Sequence, residues 1–323
     1  MKTKFILSSL FVTSILMGCN SNSSNDDSVI EKYTLAYKSD GTQISLPIKT
    51  VFSNLSTPES VTLNGNEQYI SNIGGNPGES NGLGFINLGH GIYIDNLDDP
   101  KGMAIIDDGH HAILSDHPNV KLINIDTAEV VQLLPVTSAG FLNDAVALSD
   151  SSALISDTGS GDVYQVKFLN GAITYSKFIT ASELNGNGVN GLFFDNETSI
   201  LYLVTSAFGG NSGQGHIYQT VLNETFERVG DIEQWSIGGI LGNGNLDGIA
   251  LKNNKLIISD WENDESPSSI FILDKNEKEQ IYKISGNFNS PADIALDQYT
   301  NILYIPEFKE NIVSAIDLSD LIN

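Results

Sequence analysis

The sequence predicts an all-β chain folded as a six-bladed β-propeller, with four-stranded blades around a central channel. Three observations carry this. Short runs rich in Ile, Leu, Val and Tyr alternate with clusters of Gly, Asn, Asp and Ser, and no amphipathic helix of useful length follows residue 30. A unit consisting of a small or polar start, an apolar strand, a turn and a second strand recurs six times. Measured between Glu59, Lys101, Asp144, Asn190, Asp247 and Ala292, the units are spaced by 42, 43, 46, 57 and 45 residues, the period of a propeller blade.

At the N-terminus, Lys2 and Lys4 precede the apolar run FILSSLFVTSILM, which reads as a signal peptide over residues 1–18. The run is too short and too early to favour a spanning helix. It ends in Leu16-Met17-Gly18-Cys19, which resembles the lipobox of bacterial lipoproteins, and Cys19 is the single cysteine of the chain. Residues 19–30 are therefore expected to be a lipidated cysteine and a flexible tether, with NSNSSNDDS at its start. The expected location is the bacterial cell envelope, on the periplasmic side of either membrane or at the cell surface. The membrane is then touched only through the Cys19 lipid, and no disulfide supports the fold.

Residues 31–323 form the expected propeller. Its units begin at PESV, PKGM, NDAV, VNGL, LDGI and PADI, and most run on into a third strand such as KLINID, DVYQVKF or SIFILD. The N-terminal KYTLAYKSD segment is the candidate for the strand that closes the ring on the last blade. Closure leaves only short exposed edges.

Acids outnumber Lys and Arg by 40 to 16, a formal charge of -24. Such a surface repels phosphate backbones and excludes nucleic acid as a partner. The glycines of GNGVNG (186–191) fit a dinucleotide fingerprint, but they open a strand-turn-strand rather than a helix. They are expected to let the chain turn into an inner strand near the channel. Gly78-Glu79-Ser80-Asn81-Gly82 matches a nucleophile elbow without its strand-turn-helix setting. Asp260 to Asp264 spaces acids as a calcium loop does but lacks the required Gly and Glu.

The first position of each unit lies near the axis of a propeller. There Glu59, Asp144, Asn190 and Asp247 would gather carboxylate and amide oxygens at one mouth, a donor set suited to Ca²⁺ or another hard divalent cation such as Mg²⁺. The blade pattern and these residues resemble the family of senescence marker protein, gluconolactonase and luciferin-regenerating enzyme, and more distantly diisopropyl fluorophosphatase and paraoxonase. The resemblance spans roughly residues 45–315. It implies that Glu59 in PESV, Asn190 in VNGLFF and Asp247 in LDGIAL bind one cation, with Asp144 as a fourth candidate. It also implies that Asp247 serves as base or nucleophile and that Asn143 in FLNDA orients the substrate.

The implied activity is metal-assisted hydrolysis of a small lactone or ester. Two pocket positions depart from the pattern. Phe141 stands where relatives carry an Arg that contacts polyhydroxylated substrates. Lys101 would put an ammonium at the channel mouth, where it pairs with Glu59 or Asp247 in place of a cation, turns to solvent, or meets an acidic substrate. The alternative function is a non-catalytic envelope lipoprotein that uses its propeller faces to bind a ligand or a protein partner.

Overall fold

The computed structural model describes residues 32–206, 215–235, 241, 244–261 and 268–323, all within the unit Glu31–Asn323. The signal peptide, Cys19 and its tether lie outside the described residues. So do residues 207–214, 236–240 and 242–243 of the long fourth unit, and Glu262–Asp264 of the calcium-like loop.

The described strands form six blades. The first four are separate four-stranded antiparallel sheets in simple up-and-down order, beginning with the inner strands Pro58–Asn64, Pro100–Ile106, Leu142–Ser149 and Gly188–Asp195. The fifth begins at Asn245–Lys252. The sixth begins with the short Ala295–Leu296 and continues through Ile302–Glu307 and Ile312–Asp317. The first blade also has the third strand that its polar loop obscures in the sequence, Gly84–Leu88.

Ring closure differs from expectation. The fourth strand of the sixth blade is β2 (Gln43–Phe52), which pairs with Ile312–Asp317. KYTLAYK forms β1 (Lys32–Lys38), which pairs with β2 on one side and with the outer strand of the fifth blade, Glu279–Ser285, on the other. The last two blades thus merge into one nine-stranded sheet. Both segments alternate apolar and polar residues. The inner one, however, presents Leu46, Ile48 and Phe52 to the core, whereas β1 buries only Thr34 and Ala36.

The core is divided among the blade interfaces. Among the described residues there are six apolar clusters, each shared by one adjacent pair of blades: Leu97 with Met103, Ile106 with Ile155, Leu154 with Leu201, Val204 with Leu256, Ile257 with Ile305, and Val313 with Ile70. This is the arrangement that stacked sheets impose, because each sheet has two apolar faces and meets one neighbour on each.

A second repeat governs the loops that lead into the blades. The second strand of several blades ends in a buried amide or acid that accepts backbone N–H groups from the loop leading into the same blade. Asn72 accepts from Ser56, Asp116 from Asp98 and Asp99, Asp157 from Gly140 and Phe141, and Glu307 from Asn289. Each such contact satisfies donors that irregular backbone would otherwise leave unpaired near the channel.

Candidate active site

The inner strands do not run evenly to the axis. In the first five blades the pairing of inner and second strand shifts register at the first unit position: between Pro58 and Ser60, Pro100 and Met103, Leu142 and Ala145, Val189 and Leu192, and Leu246 and Ile249. A bulge re-aims the side chain it carries. Here it frees Glu59, Lys101, Asp144, Asn190 and Asp247 from the alternation of their strands. Hydroxyls of the second strands steady the bulges: Ser156 Oγ accepts the Asp144 N–H at 2.9 Å and Ser259 Oγ accepts the Gly248 N–H at 2.7 Å.

The residue after each bulge is small because the next blade is in contact with it. A Cβ on Gly191 would land on the carbonyl of Asp247, and one on Gly248 would strike the backbone of Ile294 and the side chain of Asp293. The glycine of VNG is there for blade-to-blade approach, not for a phosphate.

At one mouth of the channel is a cavity of about 470 Å³, lined in part by Glu59, Lys101, Phe141, Asn143, Asn190 and Asp247. The sequence-derived site is therefore gathered in one place, apart from Asp144. Asn190 and Asp247 come from adjacent blades. Asn190 Nδ2 donates to the Leu246 carbonyl at 3.2 Å, and its amide dipole favours the charged form of Asp247. Asn190 Oδ1 and Glu59 Oε2 are buried without a hydrogen-bond partner. Leaving such oxygens bare is costly unless something positive meets them. Burial and the mutual repulsion of Glu59, Asp247 and Asp144 push the Glu59 carboxyl well above its usual range. Burial, Asp293 and Asp144 do the same to Asp247.

Among the described residues, no three of His, Cys, Asp and Glu come together as ligands. What converges is two carboxylates and one amide oxygen, two of whose atoms are orphaned. That donor set fits a hard, oxygen-seeking cation and does not suit zinc or copper.

Lys101 takes neither the competing nor the solvent-facing position expected for it. It is 1% exposed, salt-bridged to the equally buried Asp99, with its ammonium 4.2 Å from the centre of the Phe141 ring. Asp99 is held by the blade's own loop anchor, since its N–H donates to Asp116 at 2.6 Å, and its carboxylate also accepts the Gly78 N–H. Lys101 thus has its own counterion, while its field still favours the charged forms of Glu59 and Asp247.

Asp144 is diverted to structure. Its oxygens accept the N–H groups of Ala145 and of Leu192 in the next blade, both at 2.6 Å, and it does not line the cavity. Its charge and that of Asp293 oppose each other, and Asp293 accepts a 2.6 Å hydrogen bond from Ser60. Burial raises the Asp144 carboxyl to about 6 against the pull of those N–H groups. Asp293 is the channel residue that the sequence reading misses. It stands in a position otherwise filled by Ser60, Gly102, Ala145, Gly191 and Gly248, and that contrast is the signal that could have revealed it.

Asn143 lines the cavity, its Nδ2 bound to Thr158 Oγ1 at 3.1 Å. Trp261 lines the cavity beside Phe308, Trp235 is buried between the fourth and fifth blades, and Phe208 lies outside the described residues. His117 accepts the Leu142 N–H and His216 pairs with Gln234; neither is among the cavity-lining residues.

These features define a six-bladed β-propeller with a polar-floored cavity at one end of its channel. No family model matches the chain, and no curated protein matches it in sequence. Similar solved structures include a putative gluconolactonase, with 13% identity and a TM-score of 0.59 over 84% of this chain and 92% of that one. They also include the β-propeller domain of Cps50 (Swd1) from Myceliophteria thermophila, with 7% identity and a TM-score of 0.57 over 84% and 99%. At such identities the likeness is one of fold.

Proposed function

We propose that the protein is a divalent-cation-dependent hydrolase of a small lactone or ester, held in the bacterial envelope by a lipid on Cys19. The observation that carries the reading is the pair of orphaned oxygens, Glu59 Oε2 and Asn190 Oδ1, beside Asp247 on the floor of an open cavity. Glu59, Asn190 and Asp247 would hold the cation, with Ca²⁺ the best match to the donors. A bound cation supplies Lewis-acid polarisation of the ester carbonyl. Asp247 takes the proton of the attacking water on a carboxylate oxygen at the floor of the cavity. Asn143, fixed through Thr158, orients the substrate. Lys101, neutralised by Asp99, tempers the charge of the floor without occupying it. The fold shared with a putative gluconolactonase is compatible with this assignment.

The test is hydrolysis of a lactone and aryl-ester panel by the full chain in Ca²⁺ and after chelation. Activity is expected only with the cation. Loss of a general base costs about 10²–10⁴-fold, so Asp247→Asn should fall by that factor. Hydrolysis that survives both chelation and Asp247→Asn would remove the assignment. A protein that neither hydrolyses any ester nor gains heat stability from Ca²⁺ would favour the non-catalytic binding propeller.

A further inference from the structure

We infer that the substrate accepted by this site carries a hydrocarbon substituent, alkyl or aryl, on its lactone or ester, and not a polyhydroxylated chain. The inference rests on the hydrolase reading for its chemistry, but on separate residues for its selectivity. The walls of the cavity include Ile73, Pro77, Phe141, Trp261 and Phe308, contributed by the first, third, fifth and sixth blades and their loops. Trp261 and Phe308 form one tilted aromatic pair, with ring centroids 4.9 Å apart, and the Phe141 ring is held by the Lys101 ammonium on one side and by His117. These rings are fixed by their neighbours, so they offer preformed apolar surface rather than side chains that must be ordered on binding.

Much of the hydrogen-bonding capacity of the cavity is already engaged within the protein. Asn143 Nδ2 gives one N–H to Thr158, Thr158 Oγ1 donates to the Val189 carbonyl, Asn190 Nδ2 gives one N–H to Leu246, and the Lys101 ammonium is paired with Asp99. Of its fully buried polar atoms, those left bare are acceptors, Glu59 Oε2 and Asn190 Oδ1, and these belong to the cation, while Ser206 Oγ is turned to Asn245 Oδ1 at 3.4 Å. A chain of hydroxyl groups would surrender its hydration along rings that return no hydrogen bond, at a cost per group that apolar substituents avoid. A volume of about 470 Å³ leaves room for such a substituent beyond the reacting ester.

The experiment measures kcat/KM in saturating Ca²⁺ for γ-lactones with unbranched alkyl substituents of increasing length, alongside a γ-lactone hydroxylated at its α and β carbons. Each added methylene is expected to raise kcat/KM about fourfold until the walls are covered, the factor for burying one methylene. The hydroxylated lactone should rank below the unsubstituted one. Trp261→Ala, and independently Phe308→Leu, should reduce the ratio of long-chain to unsubstituted kcat/KM at least tenfold. A hydroxylated lactone turned over as fast as the long-chain ones would overturn the inference and leave the hydrolase standing.

Binding of the matching lactams, followed by calorimetry, separates the two readings. Alkyl lactams that bind in a Trp261-dependent manner without any lactone hydrolysis would uphold the apolar pocket and remove the enzyme. Equal or absent binding of alkyl and hydroxylated lactams would remove the pocket.

Discussion

At the residue scale, the channel is dominated by carboxylates whose native environment opposes their charge. Asp144 is raised to about 6, and Asp293 well above the usual carboxylate range by burial, by Asp144 and by Glu59. In the unfolded chain both ionise near ~3.9. The native state therefore holds these protons more tightly. Their contribution to stability is complete below about pH 4 and is lost as the pH rises through 6 and beyond. In chelator, the melting temperature should accordingly fall between pH 5 and 7. Asp293→Asn keeps a partner for Ser60 while removing one titration, so its profile should be flatter by up to ~1.4 kcal/mol per pH unit. Parallel profiles for the two proteins would show that Asp293 does not hold its proton in this range. The same residue shows what the sequence could not convey. Glu59, Asn190 and Asp247 were legible because a period of strands puts their positions at the axis. Asp293 is not legible in this way, because the sixth unit aligns on Ala292, one residue earlier. Lys101 was legible as a channel residue, but its counterion was not, because Asp99 reaches it only through a loop pinned by Asp116.

At the element scale, the blades could be read from local pattern and the closure could not. Every second strand follows its inner strand by a short turn, so the pairs are written contiguously in the sequence. Closure joins β2 to a strand near the other end of the chain, pairing Ile48 with Ile316 and Phe52 with Val313. Two neighbouring N-terminal segments alternate well enough to fill that place, and only the distant apolar face decides between them. The two strands should differ in what their removal does. A chain lacking residues 1–40 loses β1, a link between two otherwise complete blades, and should melt at a lower temperature in a single transition. A chain lacking residues 1–52 also loses Leu46, Ile48 and Phe52 from the core. At roughly 1.5–3 kcal/mol for each buried side chain, that loss rivals the entire net stability of a typical domain, about 5–15 kcal/mol. It should show no cooperative transition by circular dichroism. Indistinguishable melting of the two truncations would mean that β2 does not close the ring.

At the scale of the whole molecule, charge and anchoring bear on each other. The formal charge of -24 opposes adsorption to anionic lipid headgroups, whose attraction for proteins depends on clustered Lys and Arg. Among the described residues, no helix is long and apolar enough to cross a membrane. Attachment to the envelope would then depend on the proposed lipid at Cys19, which holds by burying acyl chains and is indifferent to salt. Electrostatic attachment behaves in the opposite way and weakens as the Debye length shrinks. The full chain expressed in a bacterium is expected in the membrane fraction, to stay there through a molar salt wash, and to leave it in detergent. Cys19→Ser should fail to incorporate labelled fatty acid and should shift to the soluble fraction. Because Cys19 is the only cysteine, this substitution cannot break a disulfide of the propeller, and the far-ultraviolet spectrum should be unaltered. Release of the wild-type chain by salt, or retention of Cys19→Ser on the membrane, would rule the lipid out as the anchor. The acidic domain would then have to be held by a protein partner, the circumstance under which its propeller faces rather than its channel would carry the function.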